Sequence, residues 1–323
     1  MTVLPVVYST VDAVALGPEI EKRFAFPSPF HCELLARGMN DVYMVIGGDK
    51  RYAARLWRAS RRTEREVTYE LDFLDFLRGE GIPVIPPVKG KSGARHFSVE
   101  APDGLRWVAL FEWAKGDPFA AAPSTTLAGQ MGELIGELQF KAKRFVRAKE
   151  RPLDPAGRLR ARFPHIARLS SYRPDHLALF RRAADALTKA LDGLNDPALL
   201  GATHGDSTAS NFFITDGKVT ILDFETCGYG FLSHELASFY WSTGKNGIDP
   251  AIAQAFIDGA DRARPRSKEE RDLFPLFVTN KVFDFLGGFA FSVNALGHGA
   301  FRFPGLDWMA KSIERHAKEA KLI

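Results

Sequence analysis

The stretch that decides the fold reads His204-Gly205-Asp206-Ser207-Thr208-Ala209-Ser210-Asn211, followed by Phe212–Thr215, Asp216-Gly217, Val219–Leu222 and Asp223-Phe224-Glu225. Phe212–Thr215 and Val219–Leu222 are short β-forming runs. An Asp-Gly pair between two such runs is a strong hairpin signal, because that turn needs positive φ at both central residues. An antiparallel pair brings its two ends together, so the spacing returns Asp223 to the loop that carries Asp206 and Asn211. Two carboxylates and an amide gathered in this way suit phosphoryl transfer. One carboxylate can accept the proton of a hydroxyl, while the amide and the second carboxylate offer hard oxygens to a magnesium ion that keeps several waters.

Upstream, the front third alternates like an antiparallel sheet. His31–Arg37, Val42–Ile46 and Arg51–Trp57 are β-like, with Gly47-Gly48-Asp49 as the turn between the last two. The pattern becomes helical over Arg61–Arg78, where Val67, Leu71, Phe73, Leu74 and Phe76 recur at helix spacing. Pro83, Pro86 and Pro87 then forbid helix, and two further strands are expected near Arg95–Glu100 and Leu105–Trp113. After a Gly/Pro/Ala-rich connector from Ala114 to Pro123, helices dominate. Ser124 is placed to cap one with the stripe Leu127, Met131, Leu134, Ile135 and Leu138. Leu177–Leu194 reads as another amphipathic helix, Arg151–Arg173 reads as loop, and helices run from Ser233 to the end. The expected division is residues 1–113 and 114–323.

A chain of 323 residues has room for two cores. The 26 phenylalanines are expected mostly inside, and the net charge of +4 comes without a long run of like charge. No nucleic-acid motif accompanies the basic patches Arg58–Arg65 and Lys141–Arg151, so no nucleic-acid partner is expected. Two distant cysteines, Cys32 and Cys227, imply no disulfide framework and fit a reducing compartment. Met1–Ile20 lacks a basic leader segment. The most apolar region, Phe274–Val293, is broken by Asn280, Lys281 and Asp284, so a cytoplasmic protein without membrane association is expected.

The motif H-G-D-x4-N, a short hairpin and D-F-E resembles the aminoglycoside phosphotransferase and choline kinase family, small-molecule relatives of the protein kinases. The resemblance implies an α+β, protein-kinase-like two-lobe fold: an N-terminal antiparallel β-sheet lobe with one helix, then a mainly helical C-terminal lobe. Carried over by position, Asp206 is the catalytic base, Asn211 and Asp223 are the Mg²⁺ ligands, and His204 buttresses the loop. Arg55 stands where the family places its phosphate-contacting basic residue. Glu70, 11 residues before Gly81, stands where the family carries the partner carboxylate, with Glu66 one turn earlier as the competitor. Gly38 and Asn40 fall in a G-x-x-N-x-x-Y loop that resembles the nucleotide-covering loop. Glu112 and Ala114 fall where backbone groups would meet adenine.

The implied activity is transfer of the γ-phosphoryl group of ATP to a hydroxyl of a small molecule, a metabolite or an antibiotic. Gly205 replaces the arginine that pairs with a phosphorylated activation loop in regulated protein kinases. Only about ten residues separate Asp223 from the helix near Ser233, which leaves little for peptide docking. A protein Ser/Thr kinase of the same fold and a non-catalytic nucleotide-binding module are the alternative readings. Glu225 has two equal readings, a contact to the metal shell or substrate, and a turn cap. Cys227 is expected to be structural, Phe239-Tyr240-Trp241 to be core, and Asp284 to line the acceptor pocket or pair at the core edge.

Overall fold

The computed structural model describes residues 4–59, 61–298 and 305–323. Contacts divide the chain into two compact units, Met1–Lys115 with Asn294–Leu296, and Gly116–Val293 with Gly297–Ile323.

In the first unit α1 (Ala13–Arg23) precedes three strands, β1 (Phe30–Arg37), β2 (Asp41–Gly47) and β3 (Lys50–Leu56). Helix α2 (Glu64–Gly79) follows, then β4 (His96–Ala101) and β5 (Gly104–Glu112). The strands form one antiparallel sheet in the order β1-β2-β3-β5-β4. Alternation puts Tyr43, Val45, Ala54, Leu56, Val108 and Leu110 into one core with Leu16, Ile20 and Phe24. Thr63 and Glu66 start α2 as a reciprocal capping box, which occupies the Glu66 carboxylate at the helix end. Helix α1 was not expected from the sequence. Asp12 caps it by accepting from the Val14 amide at 3.0 Å, and its buried side is only Leu16, Gly17 and Ile20.

The second unit opens with β6 (Asp117–Pro118), α3 (Thr125–Lys141), α4 (Pro155–Leu169) and α5 (Pro174–Asp192). Four short strands follow: β7 (Leu200–Thr203), β8 (Phe212–Thr215), β9 (Lys218–Ile221) and β10 (Gly228–Phe231). The remainder is helical, with α6 (Ser233–Lys245), α7 (Pro250–Ala263), α8 (Lys268–Asp272), α9 (Phe274–Leu296) and α10 (Leu306–Glu319). Ser124 does cap α3, accepting from the Leu127 amide at 3.2 Å. The expected loop over Arg151–Arg173 is instead largely helix α4. Asp154 caps it, accepting from the Gly157 amide at 2.7 Å, and Pro155 occupies the first helical position, where its missing N–H costs nothing.

Helix α9 is long and apolar enough to cross a membrane by length and composition, yet 72% of its most apolar window is buried inside the protein. Phe277, Val282, Phe283, Leu286 and Ala290 join a core with Leu159, Phe180, Leu187, Met309 and Ile313. Its polar interruptions Asn280 and Lys281 are buried too. A buried amide and ammonium on an apolar helix demand partners, since desolvating them alone costs several kcal/mol.

Candidate active site

The hairpin that organises the site has the expected turn. Asp216 (φ 49°) and Gly217 (φ 73°) both take positive φ, and β8 pairs β9 from Phe212 with Ile221 to Thr215 with Lys218. One step beyond that register, the Leu222 amide donates to the Asn211 carbonyl at 2.8 Å. Asp223 thus emerges beside Asn211. Its own backbone is left-handed (φ 60°, ψ 64°), a conformation that costs a non-glycine residue about 1–2 kcal/mol.

His204 ties the two ends of the motif together. Its Nε2 lies 2.6 Å from the Leu222 carbonyl and so must carry the proton, which leaves Nδ1 to accept from the Asp206 amide at 3.1 Å. The ring, fully buried, meets Phe224 edge-on at 4.4 Å between centroids. Gly205 sits at φ 84°, and a Cβ there would run into the carbonyl oxygen of Thr226. Its amide donates to Glu235 Oε1 at 2.6 Å, and Ser207 Oγ donates to the Glu235 carbonyl at 2.8 Å. Glu235 lies in the first turn of α6, where the helix dipole favours a carboxylate. No short-range sequence pattern announces Glu235, because its role comes from a turn of α6 folding back on the loop.

Asp206 and Asn211 are brought together. Asn211 Nδ2 donates to the Asp206 carbonyl at 2.7 Å, which keeps Oδ1 of the amide for a cation. The Asp206 carboxylate is half-buried and pairs through Oδ1 with the Lys281 ammonium from α9. Burial pushes the Asp206 carboxyl up, but Lys281, by charge and hydrogen bond, outweighs it and holds the group below the usual carboxylate range. Lys281 was not singled out from the sequence. Its signal was present in the three polar interruptions Asn280, Lys281 and Asp284 of an otherwise apolar helix.

Those other two interruptions build a second cluster. Asp284 lies 3.8 Å from Arg158, 3.6 Å from Arg162 and 3.7 Å from His234, and Asn280 Nδ2 lies 3.3 Å from His234 Nδ1. Burial drives His234 down to about 4, although Asp284 opposes it, so the imidazole is neutral near pH 7. Burial raises Asp284, and Arg158 foremost brings it below the usual carboxylate range. Asp284 therefore both pairs at the core edge and lines a small pocket of about 20 Å³, together with Arg158, His234, Gly205 and Phe277. Cys227 is buried, 3.7 Å from Arg151, whose other arm donates to the Glu225 carbonyl at 2.7 Å. Glu225 is itself buried. Phe239 and Trp241 are core, as expected.

The first unit brings Arg55 and Glu70 together at 2.7 Å, while Glu66 sits in the capping box of α2. Glu70 is buried, and the Arg55 guanidinium lies between Trp57 and Phe111, 5.4 Å and 5.0 Å from their ring centroids. Gly38 and Asn40 occupy the β1–β2 connection, where the Gly38 amide donates to the Asn40 carbonyl at 3.0 Å and Arg58 donates to the Gly38 carbonyl. A Cβ on Gly38 would meet only the Asn40 carbonyl, at an ordinary 3.6 Å, so packing within the chain does not demand glycine. Glu112 ends β5 with its amide donating to Pro86 at 3.2 Å, and Ala114 follows two residues on, half-buried.

These residues fit a magnesium nucleotide. Among the described residues no group of three or more His, Cys, Asp or Glu could hold a metal. Magnesium needs no such cage, because one or two protein oxygens suffice when phosphates and waters complete its octahedron. Asn211 and Asp223 each carry a side-chain oxygen of that kind, and in the first unit the planar Arg55 guanidinium has the shape that matches a phosphate.

The sequence model of the phosphotransferase enzyme family matches residues 31–269. An uncharacterized protein of Deinococcus radiodurans is 29% identical over 323 residues, covering 97% of this chain and 93% of that one. A homoserine kinase of Neisseria meningitidis serogroup B is 28% identical over 246 residues, covering 75% of this chain and 76% of its own. Among solved structures, an amicoumacin kinase in complex with AMP-PNP, Ca²⁺ and Ami superimposes with a TM-score of 0.75 at 19% identity, covering 96% of this chain and 93% of that one. The fold is protein-kinase-like, with an antiparallel-sheet N-terminal region and a helical C-terminal region.

Proposed function

The chain belongs to the phosphotransferase enzyme family, and from that premise we propose that it is an ATP- and Mg²⁺-dependent kinase of small-molecule hydroxyls. The observation that carries the proposal is the single hydrogen-bonded unit His204–Asp206–Asn211–Leu222, which sets an ionised carboxylate and an amide oxygen on one loop, with Asp223 emerging from the hairpin beside it. Homoserine and amicoumacin kinases among the relatives support a small-molecule acceptor.

Asp206 is the general base. It is ionised at neutral pH, so it orients the acceptor hydroxyl and takes its proton as the new O–P bond forms. Asn211 and Asp223 would hold Mg²⁺, which when bound neutralises charge on the phosphates. Arg55, kept in place by Glu70, anchors the nucleotide phosphates, with Gly38 and Asn40 covering them. The Glu112 amide is already engaged by Pro86, so Glu112 offers adenine its carbonyl while Ala114 offers its N–H. Lys281 is a positioning residue: it keeps Asp206 ionised and sets the direction of its Oδ1. Among the described residues neither Cys32 nor Cys227 is in a disulfide, which supports a cytoplasmic location.

The test is a screen of hydroxyl compounds with Mg-ATP, read by ADP release and by mass spectrometry of the product. A product 80 Da heavier than one acceptor, absent with Asp206→Asn, is the expected result. ATP binding without any phosphorylated product across the library contradicts it.

A further inference from the structure

The second unit holds a larger pocket, of about 580 Å³, between the end of α6 and α10. Its aromatic lining is Tyr240, Trp241 and Trp308, and its cations are Lys245, Lys311 and Arg315. Asp249 is the one carboxylate among the described lining residues, and it is spent capping α7 through the Ala251 amide at 2.9 Å. Arg315 is paired with Glu319 at 3.0 Å, but among the described residues neither Lys245 nor Lys311 has a carboxylate partner. Lys245 is half-buried, with its ammonium 4.9 Å from the centre of the Phe285 ring. Burial lowers its pKa. A desolvated cation without an anion is a cost that a bound anion would relieve.

Helices α6 and α9 connect the pocket to the catalytic loop. On α6, Ser242 Oγ accepts from the Ala209 amide of that loop at 3.2 Å, and the residues on either side, Trp241 and Thr243, line the pocket. On α9, Lys281 holds Asp206, and one turn later Phe285 packs on Trp241 with 4.9 Å between centroids. The smaller pocket beside Gly205 offers no comparable charge, because Asp284 there already lies between Arg158 and Arg162.

We propose that this aromatic, cationic pocket receives the phosphate acceptor, and that the acceptor is a hydroxyl compound bearing an anionic group, its flat or apolar body against Trp241 and Trp308 and its anion at Lys245 and Lys311. This rests on the phosphotransferase reading above and gives it a substrate class, distinct from polycationic acceptors, which a cation excess repels. In the reaction the acceptor O–H gives its proton to Asp206, its oxygen bonds the γ-phosphorus, and the β,γ-bridging P–O bond breaks to release ADP.

Three probes with one body and one hydroxyl test it: 4-(hydroxymethyl)benzoate, 4-(hydroxymethyl)benzamide and 4-(hydroxymethyl)benzylamine. A fourth, 4-(hydroxymethyl)phenyl phosphate, tells a phosphate from a carboxylate as the preferred anion. Binding is read by tryptophan fluorescence and turnover by ADP release with Mg-ATP, both on the full chain. The better of the two anions is expected to bind at least about tenfold more tightly than the amide or the amine, and to be phosphorylated with the same preference. Lys245→Ala erases that advantage and Lys245→Arg retains most of it. Lys311→Ala, at an exposed position, reads the same dependence should Lys245→Ala fold poorly. Amine or amide turned over as efficiently as both anions, or an anion preference unchanged in both alanine variants, overturns the proposal while leaving a kinase. Absence of phosphoryl transfer to any hydroxyl compound overturns the kinase reading instead.

Discussion

Lys281, from the middle of an apolar helix, sets its ammonium against Oδ1 of Asp206, 75 residues earlier in the chain. Two opposing effects act on that carboxylate. Burial favours the neutral acid, Lys281 favours the anion, and Lys281 wins. The linkage follows from the sign. With a folded pKa below the unfolded one, the pair stabilises the fold above the ordinary carboxylate pKa and loses that contribution as pH falls through the lower, folded value.

Removing Lys281 should therefore expose the burial effect. Lys281→Met is expected to move the acid limb of the kcat–pH profile to higher pH and to lower kcat about tenfold at neutral pH, with nucleotide KM little changed. Lys281→Arg, which keeps the charge, should recover most of the rate. A Lys281→Met profile that overlays the wild type contradicts the positioning role.

Gly205 tests the loop geometry. Its positive φ and the Thr226 carbonyl beside the missing Cβ leave no room for a side chain. Gly205→Ala is expected to cost about 2–4 kcal/mol, lowering Tm by roughly 5–10 °C in a thermal melt. An unchanged Tm would mean that the loop relaxes freely around residue 205.

The hairpin and its motif were legible because their signals are local. Asp216-Gly217 can take the positive φ values that a two-residue turn needs, and the strand on each side is short enough to fix the register. The sheet strands were legible from alternation, to within a residue or two of their ends. Helix α4 was hidden because Pro155 and Pro164 read as breakers, whereas Pro155 sits harmlessly at the first helical position. Helix α1 was hidden because its buried side is only a few residues wide. Lys281 and Glu235 reach the loop from helices distant in sequence, and no spacing rule registers such contacts. The polar interruptions of α9 pointed to partners without saying which.

The partner of Arg55 separates two adjacent helical turns. Glu70→Ala leaves the guanidinium without its buried carboxylate, so it is expected to cost about 3 kcal/mol and to raise nucleotide KM severalfold. Glu66→Ala removes the capping-box contact to Thr63, about 1 kcal/mol, with a smaller change in KM than Glu70→Ala. Steady-state kinetics of the two variants side by side, with denaturant melts, check both halves.

His234 gives the protein a pH-dependent stability of its own. A folded pKa of about 4 against an ordinary 6.5 means that the unfolded chain binds the extra proton across that window. Stability should accordingly fall as pH drops from 6.5 towards 4, by at most about 1.4 kcal/mol per pH unit. His234→Gln, which cannot take up that proton, should flatten the slope of Tm between pH 7 and 5. An equal slope in both proteins contradicts the buried neutral imidazole.

Proton transfer by the Asp206 carboxylate, paired with Lys281, is the step on which the proposed function rests. It is tested most directly by comparing Asp206→Asn with the wild type at saturating Mg-ATP and the best acceptor from the hydroxyl screen, alongside a titration of Mg-ATP affinity. The expected result is a kcat loss of about 10²–10⁴-fold with nucleotide affinity within about threefold of wild type, as befits a lost general base in an otherwise assembled site. Turnover by Asp206→Asn at the wild-type rate would contradict it.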